Sequence, residues 1–533
     1  MPKRKIAIEI FAPIEGLHTE LSPSMITGQS TPNVQNANAY YGVVQKDYGT
    51  SLFCTGTVGG PVPSNYIFEC PFNAESVLEA FTHTGNYKLV DGTGFTKDGQ
   101  TYTGTFTDIW NGAMYNDDFI YTNASDSLQA KLAYNTTGTN MGGNTAIARA
   151  VVGFKAHLNL YHTTEGGTAS PFRIRWSQAG ALGYTSTDWG SGTAGFLDLP
   201  DSEGVILTAA GIGGGAVVVY CAGSIHLQQW VGGSVVYQFT KMIGGLDIPS
   251  RRCVAVNDDI HYFFTRENIY EYRGGRDLIA IGDPIKALYQ QTINPNTMDT
   301  AFVQFIKEDE ELRLYVPSGS ATQPDKCFIC KVRDGYKWFL TDRQYTSHGK
   351  FTRQSAITIG DLVGNIGAQN WKFGDMVSTV GAPVYIMGDQ SGNMVQMDKT
   401  LYSASQSATG TAKAFVFDTK DFSANKDVDP EGGTGSRYDP SEYMDNDSRW
   451  LSVYAEARGD GTLGMQYSTD GGAVFAPAPE GGKTITTTWQ SYQWDVDVAA
   501  ESFRARFTNT GTNEVAHIRH IKVEFVPGSV VGE

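Results

Sequence analysis

Apolar and polar positions alternate in short runs along most of this chain, most clearly in one stretch. Cys253 to Val256 is a short apolar run, and Ile260 to Thr265 is rich in aromatic and β-branched side chains. Thr265-Arg-Glu-Asn268 is a polar turn, and Ile269, Tyr270 and Tyr272 make a further strand. Arg273-Gly-Gly-Arg276 turns again, and Leu278 to Ile281 follows. This predicts three or four short antiparallel strands with tight turns, close to one four-stranded sheet in sequence order. Such a meander cannot bury both faces alone and needs neighbours of the same kind.

Couplets of strand, polar turn and strand recur around it. They are Ser51 to Thr57 with Tyr66 to Cys70, Phe119 to Thr122 with Leu128 to Tyr134, and His157 to His162 with Phe172 to Trp176. Ala216 to Cys221 follows with Ile225 to Trp230, then Leu312 to Val316 with Cys327 to Val332, then Val384 to Gly388 with Met394 to Met397. Their irregular spacing brackets the roughly 40 to 50 residues of a propeller blade. Some blades therefore carry insertions, and Thr163 to Pro171 and Thr185 to Asp201 have the Gly/Ser/Thr-rich composition of long inter-strand loops. Ahead of the couplets, residues 1–36 hold Pro13, Pro23 and Pro32 among small polar residues and read as an extended N-terminal arm, protease-sensitive until it docks. Past Thr400 the texture changes. Asp427 to Asn446 reads as a loop. Trp450 to Ala457, Gly461 to Tyr467, Thr484 to Trp489, Ser491 to Val498, Ser502 to Thr508 and Ile518 to Phe525 alternate as in a two-layer sandwich. The expected fold is all-β: an arm at 1–36, a β-propeller with inserted loops at 37–400, and a C-terminal β-sandwich at 401–533, with little helix.

Composition agrees with that plan. A chain of 533 residues is too long for one ordinary core. Gly 61, aromatic 12% and charged 18% suit a β protein with many turns. The net charge of −16 argues against a tight grip on nucleic acid phosphates. Met1-Pro-Lys-Arg-Lys-Ile6 is basic, but no apolar run follows as in a signal peptide. No apolar run approaches the ~20 residues of a membrane helix. The expectation is a soluble protein made in a cytoplasm, with no membrane insertion of its own. The cysteines are Cys54, Cys70, Cys221, Cys253, Cys327 and Cys330. Only Cys327-Phe-Ile-Cys330 is a close pair, and no second pair stands at zinc spacing. All six are expected as buried, reduced thiols.

Candidate chemistry is sparse. Ser468-Thr-Asp-Gly-Gly-Ala-Val-Phe475 fits the Asp-box pattern, in which Asp470 would hold a hairpin by accepting backbone amides, with Phe475 packed below. Gly211-Ile-Gly-Gly-Gly215 precedes a strand where a phosphate loop would precede a helix. Lys307-Glu-Asp-Glu-Glu-Leu312 reads as a solvated turn. His157 with His162 and His517 with His520 lack the company a metal site needs. There is no Gly-x-Ser-x-Gly elbow and no His-Glu-x-x-His. Trp110, Trp176, Trp230 and Trp338 fall at strand ends, which suits blade packing. No catalytic, cofactor-binding or metal-ligating residue is assigned, and no enzyme activity is expected.

Three places share a resemblance. Gly16-Leu-His-Thr-Glu-Leu-Ser-Pro-Ser24, Asn33-Val-Gln-Asn-Ala-Asn38 and Tyr41-Gly-Val-Val-Gln-Lys-Asp-Tyr-Gly49 look like the opening of phage tail proteins. Asp258 to Gly282 resembles one of their blades. Val384-Tyr-Ile-Met-Gly-Asp-Gln-Ser-Gly-Asn-Met394 and Ser468-Thr-Asp-Gly-Gly472 are similar to their C-terminal half. The family is the tail nozzle, or tubular tail protein, of short-tailed bacteriophages. The resemblance implies a virion structural protein of the distal tail, assembled in the host bacterial cytoplasm. It implies a homo-oligomeric ring, usually a hexamer, below portal and adaptor proteins and beside tail fibres or spikes. Genomic DNA would be ejected through the ring without specific binding. Other classes are a hub or baseplate component of a phage tail, and a carbohydrate-binding or sialidase-like propeller. Clustered carboxylates in one cleft would mark the last of these.

Overall fold

The structure, a computed structural model, describes residues 5–12, 14–40, 42–73, 76–90, 94–133, 136–141, 146–181, 185–333, 335–352, 354–355, 379–380, 383–402, 412–423 and 448–526. The stretch at 254–280 folds as its period dictates. Val254–Asn257, Ile260–Phe264, Ile269–Tyr272 and Ile279–Ala280 pair antiparallel in sequence order. It is one of seven four-stranded sheets among the described residues. In chain order these are blades 1 (66–101), 2 (111–140), 3 (147–198), 4 (206–244), 5 (254–280), 6 (302–341) and 7. Blade 7 takes Tyr345–Phe351, Val384–Asp389 and Asn393–Asp398 from the far end of the propeller and its outer strand, Gly49–Thr57, from the near end. The ring is therefore closed by pairing the chain's early residues with residues more than 300 positions later.

The first strand of each blade faces the axis, and aromatic residues lock neighbouring blades together. Phe68 of blade 1 stacks on Phe119 of blade 2 at 4.8 Å. Tyr161 of blade 3 donates to Gln228 of blade 4 at 2.7 Å. Tyr262 of blade 5 stacks on Phe305 of blade 6 at 5.6 Å. Tyr315 of blade 6 meets Tyr345 of blade 7 at 6.0 Å, and Ile67 of blade 1 shares a core with Ile386 of blade 7. Trp110 donates to Thr82 O and Trp338 to Ile281 O, each reaching the preceding blade. Trp230 differs from its expected packing role: it is 51% exposed at the outer end of blade 4.

Two larger sheets complete the molecule. One joins Ile6–Phe11, Ala37–Tyr40, Val43–Lys46, Ser448–Gly459, Gln490–Ala500 and Ala516–Val526. The other joins Val34–Gln35, Phe415–Asp418, Phe422–Ser423, Thr462–Ser468, Ala476–Pro477, Lys483–Thr484 and Ser502–Asn509. They meet through Trp450 stacked on Phe503 at 5.2 Å and Trp494 against Phe507 at 5.9 Å. Four of these strands come from the first 46 residues.

Several sequence expectations change here. Residues 1–36 are not a bare arm, because Ile6–Phe11 pairs along its whole length with the last strand. Ile8, buried on that strand, explains why: the alternation Ile6, Ile8, Ile10 is a strand period that the neighbouring prolines obscured. Residues 37–46, placed with the propeller, lie in the C-terminal sheets. Residues 163–171 are not a long loop. Strands His157–Glu165 and Thr168–Trp176 run through them and turn at Gly166 and Gly167, both at positive φ. Within 185–201 lie a short 3-10 turn, Ser186–Trp189, and the outer strand of blade 3, Gly195–Asp198. Of Thr484 to Trp489, only Thr484 is in a strand. The loop expected at Asp427 to Asn446 lies outside the described residues.

Candidate functional site

The seven inner strands converge on an axial channel. Its cavity of about 240 Å³ is lined by residues from all seven, among them Tyr66, Asn111, Arg149, Thr208, Val254, Gln304 and His348. Arg251 and Arg252, on the connection into blade 5, also line it. Arg252 pins the ring from the inside. It donates to Asn65 O at 3.0 Å, Thr346 O at 2.6 Å and Thr300 O at 2.6 Å, and its guanidinium lies 4.5 Å from the Phe302 ring. These partners lie at blades 1, 6 and 7, so one side chain bridges the place where the circle closes. Burial pushes the Arg252 guanidinium down from its ordinary value, yet arginine keeps its charge in proteins.

A second constellation joins the propeller to the two-sheet unit. Asn36 holds a left-handed backbone, φ 52°, which asparagine tolerates better than most residues. Its amide donates to Leu340 O at 2.9 Å, and its side chain accepts from Asp342 N at 2.9 Å. The same side chain donates to the Asp342 carboxylate and to Ala414 O, each at 2.8 Å. Eleven residues on, buried Asp47 receives Arg343 through Nε at 3.0 Å and Nη2 at 2.5 Å, and Lys413 Nζ at 2.6 Å. Burial alone would raise the Asp47 carboxyl. The charges of Arg343 and Lys413 outweigh it and hold the group well below the usual carboxylate range. Glu311 is built alike, with Arg313 at 2.9 and 2.7 Å, Lys331 in contact, and the Tyr40 hydroxyl donating at 3.1 Å. Burial opposes ionisation there too, but Arg313 and Lys331 bring Glu311 down to about 2.

The Asp470 carboxylate accepts from Ser468 Oγ at 2.5 Å and Val474 N at 3.1 Å, and the Ser468 hydrogen bond is the main reason its carboxyl is lowered. Phe475 is covered by Arg506, whose guanidinium stands 3.5 Å from the ring centre. The box is a stabilised turn in the C-terminal sheets, far in sequence from the channel. Gly213 and Gly214, at φ 57° and 62°, make the hairpin turn of blade 4. The acidic run 307–312 corrects its solvated reading at one position: residues 307–310 turn, but Glu311 is fully buried in the joint. His157 meets Ser177 O at 2.6 Å and His162 meets Ile206 O at 3.1 Å, so the two rings face different carbonyls. Cys327 and Cys330 are free and buried, and burial pushes Cys327 up to about 12. No group of three metal-ligating side chains occurs among the described residues. Apart from Glu311, read as part of a solvated turn, the joint's acids and bases do not stand out in the sequence, because partners such as Asp47 and Lys413 are separated by most of the chain.

No family model matches the sequence, and no curated protein matches it. Solved structures similar to the chain include virginiamycin B lyase from Staphylococcus aureus, at 8% identity over 65% of this chain and 98% of that one, TM-score 0.39. Saccharomyces cerevisiae Sqt1 is similar at 9% identity over 66% and 99%, TM-score 0.35. The WD40 domain of Neurospora crassa Pan2 is similar at 7% identity over 66% and 94%, TM-score 0.35. At such identities the likeness concerns the β-propeller fold and carries nothing about activity.

Proposed function

We propose that this chain is a virion structural protein, a subunit of the nozzle ring at the distal end of a short phage tail. The observation that carries the proposal is the joint. The N-terminal segment that resembles the opening of tail proteins is woven through both units, pairing with the C-terminal sheets at Ile6–Phe11 and Val34–Gln35 and then closing blade 7 at Gly49–Thr57. Pulling the propeller from the two-sheet unit would have to break strand pairing and the buried Asp47 and Glu311 networks together. That suits a part that bears load while DNA passes. The other resembling stretches are the hairpin of blade 7 at Val384–Asp389 and Asn393–Asp398, blade 5, and the turn at Ser468 to Gly472 in the C-terminal sheets.

In this proposal the C-terminal sheets are the family's β-sandwich, and a homo-hexamer forms by lateral contacts that close head to tail. Adaptor and portal proteins sit above it, and fibres or spikes sit beside it. A net charge of −16 per subunit keeps the passing duplex from sticking. Weighing the tail ring released from purified virions tests the proposal. Six copies of the 57.9 kDa chain around an open bore are expected. A monomer, or an open filament, would overturn it.

A further inference from the structure

The axial channel holds buried hydrogen-bonding groups with nothing to bond. Arg251 Nη1, Arg252 Nε and both ring nitrogens of His348 are enclosed and without a partner among the described residues. His348 is only 8% exposed and lines the cavity. Asn65 Oδ1, an acceptor, is also enclosed and without a partner, while Asn65 Nδ2 is fixed by a bond to Asp108 O at 3.3 Å. Buried polar groups in native proteins are ordinarily satisfied, so such a concentration calls for an occupant.

Charge says what kind. Arg149 and Arg251 line the cavity together, and neither forms an ion pair among the described residues. Each guanidinium is lowered first by burial, and Arg149 depresses Arg251 further, as two like charges at close range do. The carboxylates nearest in effect are Asp108 and Asp299. Asp108 is already bound to Thr105 N at 2.8 Å and Thr105 Oγ1 at 2.9 Å. Three arginines against two carboxylates leave a positive site in a chain whose net charge is strongly negative. Burial and the charges of Arg313 and Arg343 keep His348 neutral, so its ring offers one donor and one acceptor.

We propose that the axial channel binds a small oxyanion of the phosphate class, free or as a monoester, between Arg149 and Arg251, with His348 and Asn65 at its edge. Guanidinium forks match the geometry of phosphate oxygens. A hydrogen phosphate also brings an O–H for the orphaned acceptor at Asn65, which sulfate and chloride do not. The cavity of about 240 Å³ takes the anion with several waters, or a monoester with a short substituent. The site is independent of the nozzle proposal, since it is formed within one propeller.

Titration calorimetry of the whole chain with inorganic phosphate, glycerol 3-phosphate, sulfate and chloride at matched ionic strength tests it. Saturable binding of phosphate or its monoester is expected, at least tenfold tighter than sulfate, and the stronger of the two identifies the source. Arg251→Gln and Arg149→Gln should each weaken it at least tenfold, while Lys97→Gln on blade 1 should not. Phenylglyoxal labelling of the unmodified sequence gives a readout free of folding effects. Phosphate should protect Arg149 and Arg251 while leaving exposed Arg333 reactive. Equal weak effects of all four salts, or no selective protection, would overturn the proposal.

Discussion

Asp47 and Glu311 show how single residues carry the joint. Each is a carboxylate with no exposure, balanced by two cations, and each lies between the propeller and the C-terminal sheets. Removing one charge of such a set strands the others in a poor solvent. Asp47→Asn should therefore cost about 3–5 kcal/mol, read as a lower denaturation midpoint. The pH dependence has a definite sign. Glu311 is lowered in the folded chain to about 2, so its contribution is fully present above its ordinary value near 4.5. It is lost as pH falls towards 2. The penalty of Glu311→Gln, measured by thermal melts, should be large at pH 7 and shrink steadily below about pH 4.5. Arg252→Ala removes three charge-assisted bonds to carbonyls at the ring closure and should cost about 2–4 kcal/mol, with blades 1, 6 and 7 gaining hydrogen exchange first. Asp47 and Arg252 did not stand out in the sequence, and Glu311 did so only within an acidic run that reads as a solvated turn. Their partners are set by the meeting of distant segments, and charge alone does not distinguish a buried Asp from a solvated one.

At the scale of elements, legibility followed local pattern. The hairpins at Phe119, His157, Ala216, Leu312 and Val384 pair as their alternation predicts, because a strand, a short polar turn and a strand contain their own register. The couplet of Ser51 to Thr57 with Tyr66 to Cys70 failed for a physical reason. Gly59-Gly60-Pro61 looks like a hairpin turn, yet here the chain passes from the outer strand of blade 7 to the inner strand of blade 1. Ring closure is a long-range event that local pattern cannot show. The same holds for Ile6–Phe11, which adds to the strand Ala516–Val526. Deleting residues 1–12 would bare Ile8's partners and lose about 2 kcal/mol for that buried side chain alone. The truncated chain should melt several degrees lower. Limited proteolysis of the free subunit should spare residues 6–11, where a loose arm would be cut at once.

For the whole molecule, the all-β class was legible and the axial channel was not, because residues from seven strands spread along the chain build it. Of the two blade 3 stretches expected as long loops, 163–171 is paired strand around the turn at Gly166 and Gly167, and the other contains the outer strand Gly195–Asp198. Phe196 and Leu197 on the outer strand of blade 3, and Trp230, Val231 and Val235 at the edge of blade 4, are exposed apolar residues, which the proposed ring would have a neighbour cover. With Lys+Arg 40 against Asp+Glu 56, the ring proposed above should let DNA slide. Binding of duplex to the purified chain at about 50 mM salt should be weaker than micromolar, and submicromolar binding that collapses at about 200 mM would reveal a nucleic acid surface instead.

The most direct measurement is imaging of purified virions labelled with an antibody against this chain. Label confined to the distal end of a short tail, six to a ring, is the expected result. Label on the capsid shell or on lateral spikes, or virions without label, would contradict the assignment to a tail nozzle.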